Sequence, residues 1–416
     1  MTNWMKILEV KEFEPEVPAV LAPANIKVIG AGGGGSNAVN RMIEAKLEGV
    51  EFIAVNTDVQ DLRNKSKADI KLQIGSKLTG GRGAGGKPHV GEDAAKEDME
   101  KISDVLRGSD MVFVTAGMGG GTGTGSAPII AKIARDLGAL TVAVVTRPFI
   151  NEGIPKLLIA EEGIKKLREV VDTLIVIPNQ NLIKMVDRKT SYSQAHRMAD
   201  EVLRYGVQGI SDLITKTGEI NIDFADVEST MKGQGDALMG IGIGSGDNRA
   251  KDAADGAIDN PLLEDTSIEG ATRVLINISG PDDIAMIEVD EILDTIRKKA
   301  DPNVEIIHGI NVDPELGNDI KVTVIATGFH AAKTSVPVHE TQPGQRKAEV
   351  ALGEIITVER FNEMRGHGSG RSNDGYYGIV RPREFKENLE VPTALRRYNP
   401  ETDGIQNDKA AGGREY

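Results

Sequence analysis

Between residues 26 and 177, six short runs rich in aliphatic and β-branched residues (26–29, 52–55, 70–74, 111–114, 140–145 and 174–177) alternate with stretches that suit helices. This alternation limits the fold more than any other feature. Parallel strands need a crossover long enough to hold a helix, so the pattern predicts an α/β fold with a Rossmann-type parallel sheet and helices on both faces. In such sheets a ligand sits at the carboxyl ends of the strands, on the strand-to-helix loops. Two of these loops are rich in glycine. The first lies within VIGAGGGGSNAVNRM and runs from Gly30 to Gly35; the second, GMGGGTGTG, occupies 117–125 with six glycines in nine positions. Ordered glycine costs backbone entropy. Bare amides that approach an anion, backed by the positive end of a helix, would repay that cost. Tight packing between helix and strand is the plainer reading, and packing is expected to need fewer glycines. The helix after the second loop is expected to begin near Ser126 or Pro128, with the proline in its first turn.

The first loop satisfies G-x-G-x-x-G, with Asp58 after the next run, so a dinucleotide site is one reading. It leaves the second loop unexplained. GRGAGGK at 81–87 fits G-x-x-x-x-G-K, but Pro88 stands where a magnesium-binding Ser or Thr belongs and no strand run precedes it, which rules against a Walker site. The seven glycines from Gly75 to Gly91 suggest instead a loop that folds over a ligand. Two glycine loops at neighbouring strand ends suit one ligand with several phosphates, held by amides, by the Thr122 and Thr124 hydroxyls and by a magnesium ion.

The formal net charge of −14 repels nucleic acid and anionic headgroups, so no nucleic-acid partner is expected. Cysteine is absent, which excludes disulfides and thiolate zinc sites, and the six histidines are scattered. The N-terminus is acidic and unlike a signal peptide, and no apolar run approaches the roughly 20 residues of a membrane span. A cytoplasmic protein without direct membrane insertion is expected. Residues 1–23 read as a flexible extension, 24–190 as a ligand-binding domain and 191–216 as a long helix with Met198, Val202, Val207 and Ile210 at helical spacing. Residues 217–330 read as a smaller α+β domain, with strands at 272–278, 304–310 and 321–326 and a helix at 287–299. Residues 331–384 look like linker, 385–398 like a short motif, and 399–416 like a polar tail.

GGGTGTGSAP resembles the signature of the tubulin superfamily. With VIGAGGGGSNAVNRM, FIAVNTDVQDL, TRPFINEG and NIDFADVESTM in order, the chain resembles the FtsZ family of bacterial cell-division GTPases from about residue 25 to 328, and again at 385–397. The resemblance implies a tubulin-like fold, GTP and GDP as ligands and Mg2+ as cofactor. It assigns phosphate contacts to Gly32, Gly33, Gly34 and Gly35, and the triphosphate cradle to Gly119, Gly120, Gly121 and Thr122, with Gly123 and Thr124 completing that loop. It directs Asp58 and the glycines near Ala84 toward the γ-phosphate and its metal, Asn37 to guanine, Glu152 to the ribose hydroxyls and Asn179 to the nucleoside. Asp200 would accept from guanine N1 and N2, a donor pair that adenine lacks. Three positions depart from the family pattern: His196 replaces a stacking phenylalanine, Lys156 replaces an arginine, and Pro155 precedes it.

The resemblance also implies that Asn221, Asp223 and Asp226 enter the nucleotide pocket of a neighbouring subunit, so that GTP hydrolysis follows head-to-tail assembly into a filament. The plainer reading has Asp223 capping a helix with Asp226 in its first turn. The 385–397 peptide, from Phe385 to Arg397, is implied to dock on membrane-tethering partners such as the actin-like FtsA, at a mid-cell division ring. A non-hydrolysing nucleotide-dependent scaffold, a plasmid-partitioning tubulin relative and a nicotinamide oxidoreductase are the competing readings.

Overall fold

The expected runs all become strands; most are apolar on both faces and covered by helices on both sides, whereas Ile70–Gln73 forms a half-buried edge strand in which apolar and polar residues alternate. The computed structural model describes residues 24–185, 189–216, 218, 220, 222–260 and 268–329. All of them belong to one of the two compact units of the chain, Met1–Pro337. The extension 1–23, the segments 331–384, 385–398 and 399–416, and Asn221 lie outside the described residues.

The parallel strands are β1 (Ile26–Ala31), β2 (Val50–Asn56), β3 (Ile70–Gln73), β4 (Met111–Gly117), β5 (Leu140–Arg147) and β6 (Thr173–Pro178). Four further strands follow: β7 (Gly235–Gly244), β8 (Arg273–Gly280), β9 (Glu305–Val312) and β10 (Ile320–Thr327). Their order is β3-β2-β1-β4-β5-β6-β7-β10-β8-β9. β7 joins the two halves: its first residues pair in parallel with the start of β6, and the rest pairs antiparallel with β10.

The helices among the described residues are α1 (Gly32–Glu44), α2 (Val59–Asn64), α3 (Ser76–Thr79), α4 (Pro88–Glu97), α5 (Met99–Leu106), α6 (Thr122–Asp136), α7 (Ile154–Arg168), α8 (Asn179–Leu182), α9 (Tyr192–Thr215), α10 (Phe224–Met231), α11 (Arg249–Ile258) and α12 (Met286–Lys299). Val28 on β1 packs into one core with Met42 of α1 and Leu203 of α9, whereas its neighbour Ile29 packs into a second core with Ile102 of α5 and Ile130 of α6. This two-residue alternation separates the helical layers. A third core lies between the second sheet and α11 with α12.

Two elements differ from expectation. β7 lies outside the expected strands, its apolar pattern interrupted by Gly240, Gly242 and Gly244. A Cβ on any of the three would fall 1.9 Å from a carbonyl oxygen of α11, so the glycines let that helix lie directly on the strand. α6 begins at Thr122, not near Ser126 or Pro128, and Pro128 sits inside the helix. The reason is tertiary. A Cβ on Gly125 would lie 2.0 Å from the Pro88 carbonyl, and one on Gly91 would lie 2.3 Å from the Gly121 carbonyl. Backbone contact between α4 and the first turn of α6 holds that turn helical and outweighs the proline's preference for the first turn.

The same contact makes a prediction. Gly125→Ala should destabilise the fold by about 2 kcal/mol or more through overpacking. Gly120→Ala, whose added Cβ would meet nothing within 4 Å, should leave the melting temperature unchanged. Thermal denaturation of both variants beside the parent checks the contrast.

Candidate functional site

The carboxyl ends of β1, β4, β5 and β6 surround a cavity of about 270 Å³. Gly34 and Asn37 of α1 form one wall; the 117–120 turn and Thr146 form the floor; Glu152 and Lys156 stand opposite; and His196, Ala199 and Asp200 of α9 close the far side, with Asn179 beside them. Nine residues singled out from the sequence therefore meet at one cavity: Gly34, Asn37, Gly119, Gly120, Glu152, Lys156, Asn179, His196 and Asp200.

Two helices begin here without the usual devices. Neither α1 nor α6 has a side-chain N-cap or an acidic residue in its first turn. Their first amides thus lack intrahelical partners and present two positive helix ends to the same space. An anion is the natural complement. The glycines that permit this arrangement mostly serve packing, contrary to the expectation that packing would need few. A Cβ on Gly32 would lie 2.7 Å from Gly123 N, one on Gly35 would lie 2.4 Å from Thr115 O, and one on Gly121 would lie 2.8 Å from Lys87 N. Gly123 meets Ala31 O at 3.0 Å in the same sense, and Gly33 approaches Asp61 at 3.7 Å. Gly120 alone in the second loop faces open space.

The loop hydroxyls are already engaged. Thr124 Oγ1 accepts from the Gly119 amide at 2.9 Å, and the Thr122 and Thr57 hydroxyls share a hydrogen bond of 2.7 Å. Asp58 caps α2, with Oδ1 accepting from the amides of Gln60 and Asp61. Among the described residues, no group of three or more His, Asp or Glu is placed to hold a metal.

The side of the cavity formed by Glu152, Asn179, His196 and Asp200 carries most of its polar side chains. Glu152 folds back so that Oε1 accepts from the Phe149 amide at 2.9 Å, while Lys156 Nζ lies 3.1 Å from Oε2. Asn179 is 5% exposed, and its Oδ1 has no hydrogen-bond partner among the described residues. Such an orphaned acceptor costs free energy until a ligand donor meets it. Burial pushes the Asp200 carboxyl up to about 7, Arg41 opposes that rise, and Glu201 adds to it. His196 is flanked edge-on by Tyr192, ring centroids 4.5 Å apart, and by Phe149 at 5.2 Å. Phe149, Tyr192 and Arg41 were not singled out from the sequence. Phe149 lies inside TRPFINEG, and Tyr192 precedes His196 by four residues, one helical turn, so both left a signal. A second cavity of about 250 Å³ shares Asn37, His196 and Asp200 with the first and is walled by Arg41, Glu44 and Arg197.

The acids Asp223 and Asp226 are not at this cavity. Asp223 caps α10, its Oδ1 accepting from the Asp226 amide at 2.8 Å, and both residues are exposed. The capping geometry is thus present. α10 ends at the start of β6, where Thr173 Oγ1 donates to the Met231 carbonyl. α9 spans the distance. Asp200 near its beginning lines the cavity, and its last residue, Thr215, packs on Gly49 just before β2. Fifteen helical residues at 1.5 Å each put about 22 Å between those two points.

Residues 25–187 match the Tubulin/FtsZ family GTPase domain, and residues 235–330 match the FtsZ family C-terminal domain. A solved FtsZ dimer from M. jannaschii, in its empty form, is 47% identical, with a TM-score of 0.71 over 74% of this chain and 89% of that one. GDP-bound CetZ1 from Haloferax volcanii is 22% identical, with a TM-score of 0.64 over 74% of this chain and 96% of that one. CetZ2 from the same organism, solved as a GTPγS-bound protofilament, is 20% identical, with a TM-score of 0.60 over 74% and 94%. The two CetZ proteins share the fold; the sequence identity and coverage of the first relative go further, and with the two matched domains they establish that the chain belongs to the tubulin/FtsZ family.

Proposed function

We propose that this protein is a GTP-dependent, self-assembling filament protein of a cell-division ring, which hydrolyses GTP to GDP and phosphate at head-to-tail subunit contacts. The observation that carries the reading is the separation of parts within one subunit. The cavity offers amides, helix ends and a guanine-compatible carboxylate, but its wall holds no acid poised over the phosphate end. The exposed acids Asp223 and Asp226 stand at the opposite end of α9. A second copy stacked in the same orientation brings its acids over the first copy's cavity. Such a contact is heterologous and does not close, so it propagates as a filament. The FtsZ dimer and the CetZ2 protofilament are assemblies of related chains. Family membership sets aside the nicotinamide reading of the first glycine loop.

In this reading the triphosphate lies on the first turns of α1 and α6, with Gly120 leaving room for close approach. Guanine lies against His196, with N1–H and the N2 amino group donating to Asp200. Asn179 Oδ1 gains the donor it lacks, and Glu152 accepts from the ribose. Hydrolysis of a γ-phosphate rests on positioning and charge stabilisation more than on covalent chemistry by the protein. The incoming Asp223 and Asp226, with Asn221, orient the attacking water. Magnesium keeps phosphate oxygens and waters as most of its ligands, so a single carboxylate suffices. Asp58 fits that need, since both capping amides fall on Oδ1 and leave Oδ2 for another partner; when bound, the ion neutralises charge on the leaving phosphates. The domain bounds 24–190, 191–216 and 217–330, and a tether-binding role for 385–397 toward an FtsA-like protein, complete the proposal.

Three outcomes test it. Asp226→Ala should bind GTP and form filaments while releasing phosphate about a hundredfold more slowly; parental turnover in assembled Asp226→Ala would refute the shared site. Turnover per subunit should rise steeply above a threshold protein concentration, measured by phosphate release with light scattering; a rate independent of concentration refutes assembly-dependent hydrolysis. Asp200 must be ionised to accept from both guanine donors. With its carboxyl near 7 in the nucleotide-free protein, affinity for GDP should rise about tenfold from pH 6 to pH 8 and then level off. Calorimetric titration across that range checks the sign, and Asp200→Asn should flatten the profile.

A further inference from the structure

Gln180 takes no part in lining the cavity, yet its side chain reaches a segment that does. β5 and β6 run side by side, with Thr146 opposite Ile177 and Arg147 opposite Pro178. The chain leaving β5 continues through Pro148 and Phe149 into a single 3-10 turn, Ile150–Glu152, beside the first residues after β6. Those two residues divide their work. Asn179 faces the cavity, and Gln180 Oε1 accepts from the Ile150 amide at 3.1 Å.

The turn's other backbone bonds are local. The Glu152 amide donates to Phe149 O, the Gly153 amide to Ile150 O, and the Phe149 amide to Glu152 Oε1. Gly153 has a φ of 101°, where other residues are strained, so the chain leaves the turn through a permissive joint. Local bonds fix the shape of the turn but not its position over the cavity. Phe149 is 2% exposed and anchored by packing at one end; Ile150 and Ile154 stand out into solvent on either side of Glu152. Among the described residues, Gln180 makes a polar tie between this exposed half and the end of β6.

We propose that Gln180 is a positioning residue for sugar recognition: by holding the Ile150 amide to the end of β6 it sets the distance of the Glu152 carboxylate from the ribose hydroxyls of a bound nucleotide. The proposal rests on the GTP reading above and names a residue that reading does not use. The expected consequence is selective. Phosphates and base are held by other elements, so loosening the turn weakens contacts to the ribose 2′-hydroxyl and spares the rest.

The test measures dissociation constants of nucleotide-free full-length protein for GTP and for 2′-deoxy-GTP in the parent, Gln180→Leu and Gln180→Glu. Leucine keeps the bulk and removes the acceptor; glutamate keeps the acceptor. The parent should prefer GTP. Gln180→Leu should shrink that preference about three- to tenfold, the worth of one hydrogen bond, with 2′-deoxy-GTP binding nearly unchanged. Gln180→Glu should retain the parental ratio. A parental ratio in Gln180→Leu, an equal loss in both variants, or a parent indifferent to the 2′-hydroxyl overturns the proposal. A parent that binds neither nucleotide overturns the GTP reading instead. Binding of 2′-deoxy-GTP reports that each variant is folded, and Gln180→Asn, one methylene shorter, repeats the test should leucine unfold the chain.

Discussion

Backbone touching backbone is the constraint on which the rest of this molecule depends. Around the cavity, α1, α4 and α6 approach one another and β4 more closely than any side chain allows. Gly30 faces Gly35, Gly32 faces Gly123, Gly91 faces Gly121, and Gly125 faces Pro88. The result is electrostatic. Two helices start within one small space, uncapped and without acids in their first turns. Fixed amide dipoles act there in place of a mobile cation. Lys156, the cation nearest the cavity, already has Glu152 as partner. The glycines therefore do two jobs through one property: the absence of Cβ that brings the helices together also leaves their amides bare.

That double use explains which parts of the site the sequence disclosed. Five of the six parallel strands were legible as buried apolar runs bounded by turn signals, and the edge strand β3 by its alternation of apolar and polar residues. The glycine loops were legible as anion sites, but their composition is silent on packing, which depends on what lies across the gap. β7 stayed hidden for the same reason. Gly240, Gly242 and Gly244 interrupt its apolar pattern, and the reason appears only with α11 set against them. The start of α6 was misjudged because local rules favour proline in a first turn, whereas α4 fixes the helical turn six residues earlier. Asp200, Asn37 and Glu152 line one cavity. Phe149 and Tyr192 escaped notice because they act on His196, and aromatic edge contacts depend on side-chain direction more than on spacing.

α9 links the two poles, and its contacts differ along its length. Near the first sheet its apolar residues, such as Leu203 and Val207, enter the main core. Toward β8 and β10 polar groups are set among apolar ones, Ile210 and Leu213 sharing a core with Leu275 and Ile325. Gly209 packs on Thr323 and receives a long hydrogen bond of 3.4 Å from Asn277, which itself accepts from Asn311. Asp212, 2% exposed, has Lys216 and Gln208 on Oδ2 and no partner on Oδ1 among the described residues. Burial raises its carboxyl, and those two neighbours pull it partly back. Across from it, burial lowers the ammonium of Lys321, which lies 3.7 Å from Asp313.

A buried polar layer so loosely satisfied contributes less to stability than an apolar one of equal area, since each unmet group retains its desolvation cost. Such a layer fixes register, while Ile210 and Leu213 beside it supply the grip of a core. The helix that crosses it is continuous from Tyr192 to Thr215, so the cavity end and the far end belong to one element. Its two ends differ in kind: near Asp200 the helix lines the cavity, whereas near Asp212 polar groups with an unmet acceptor sit among apolar ones.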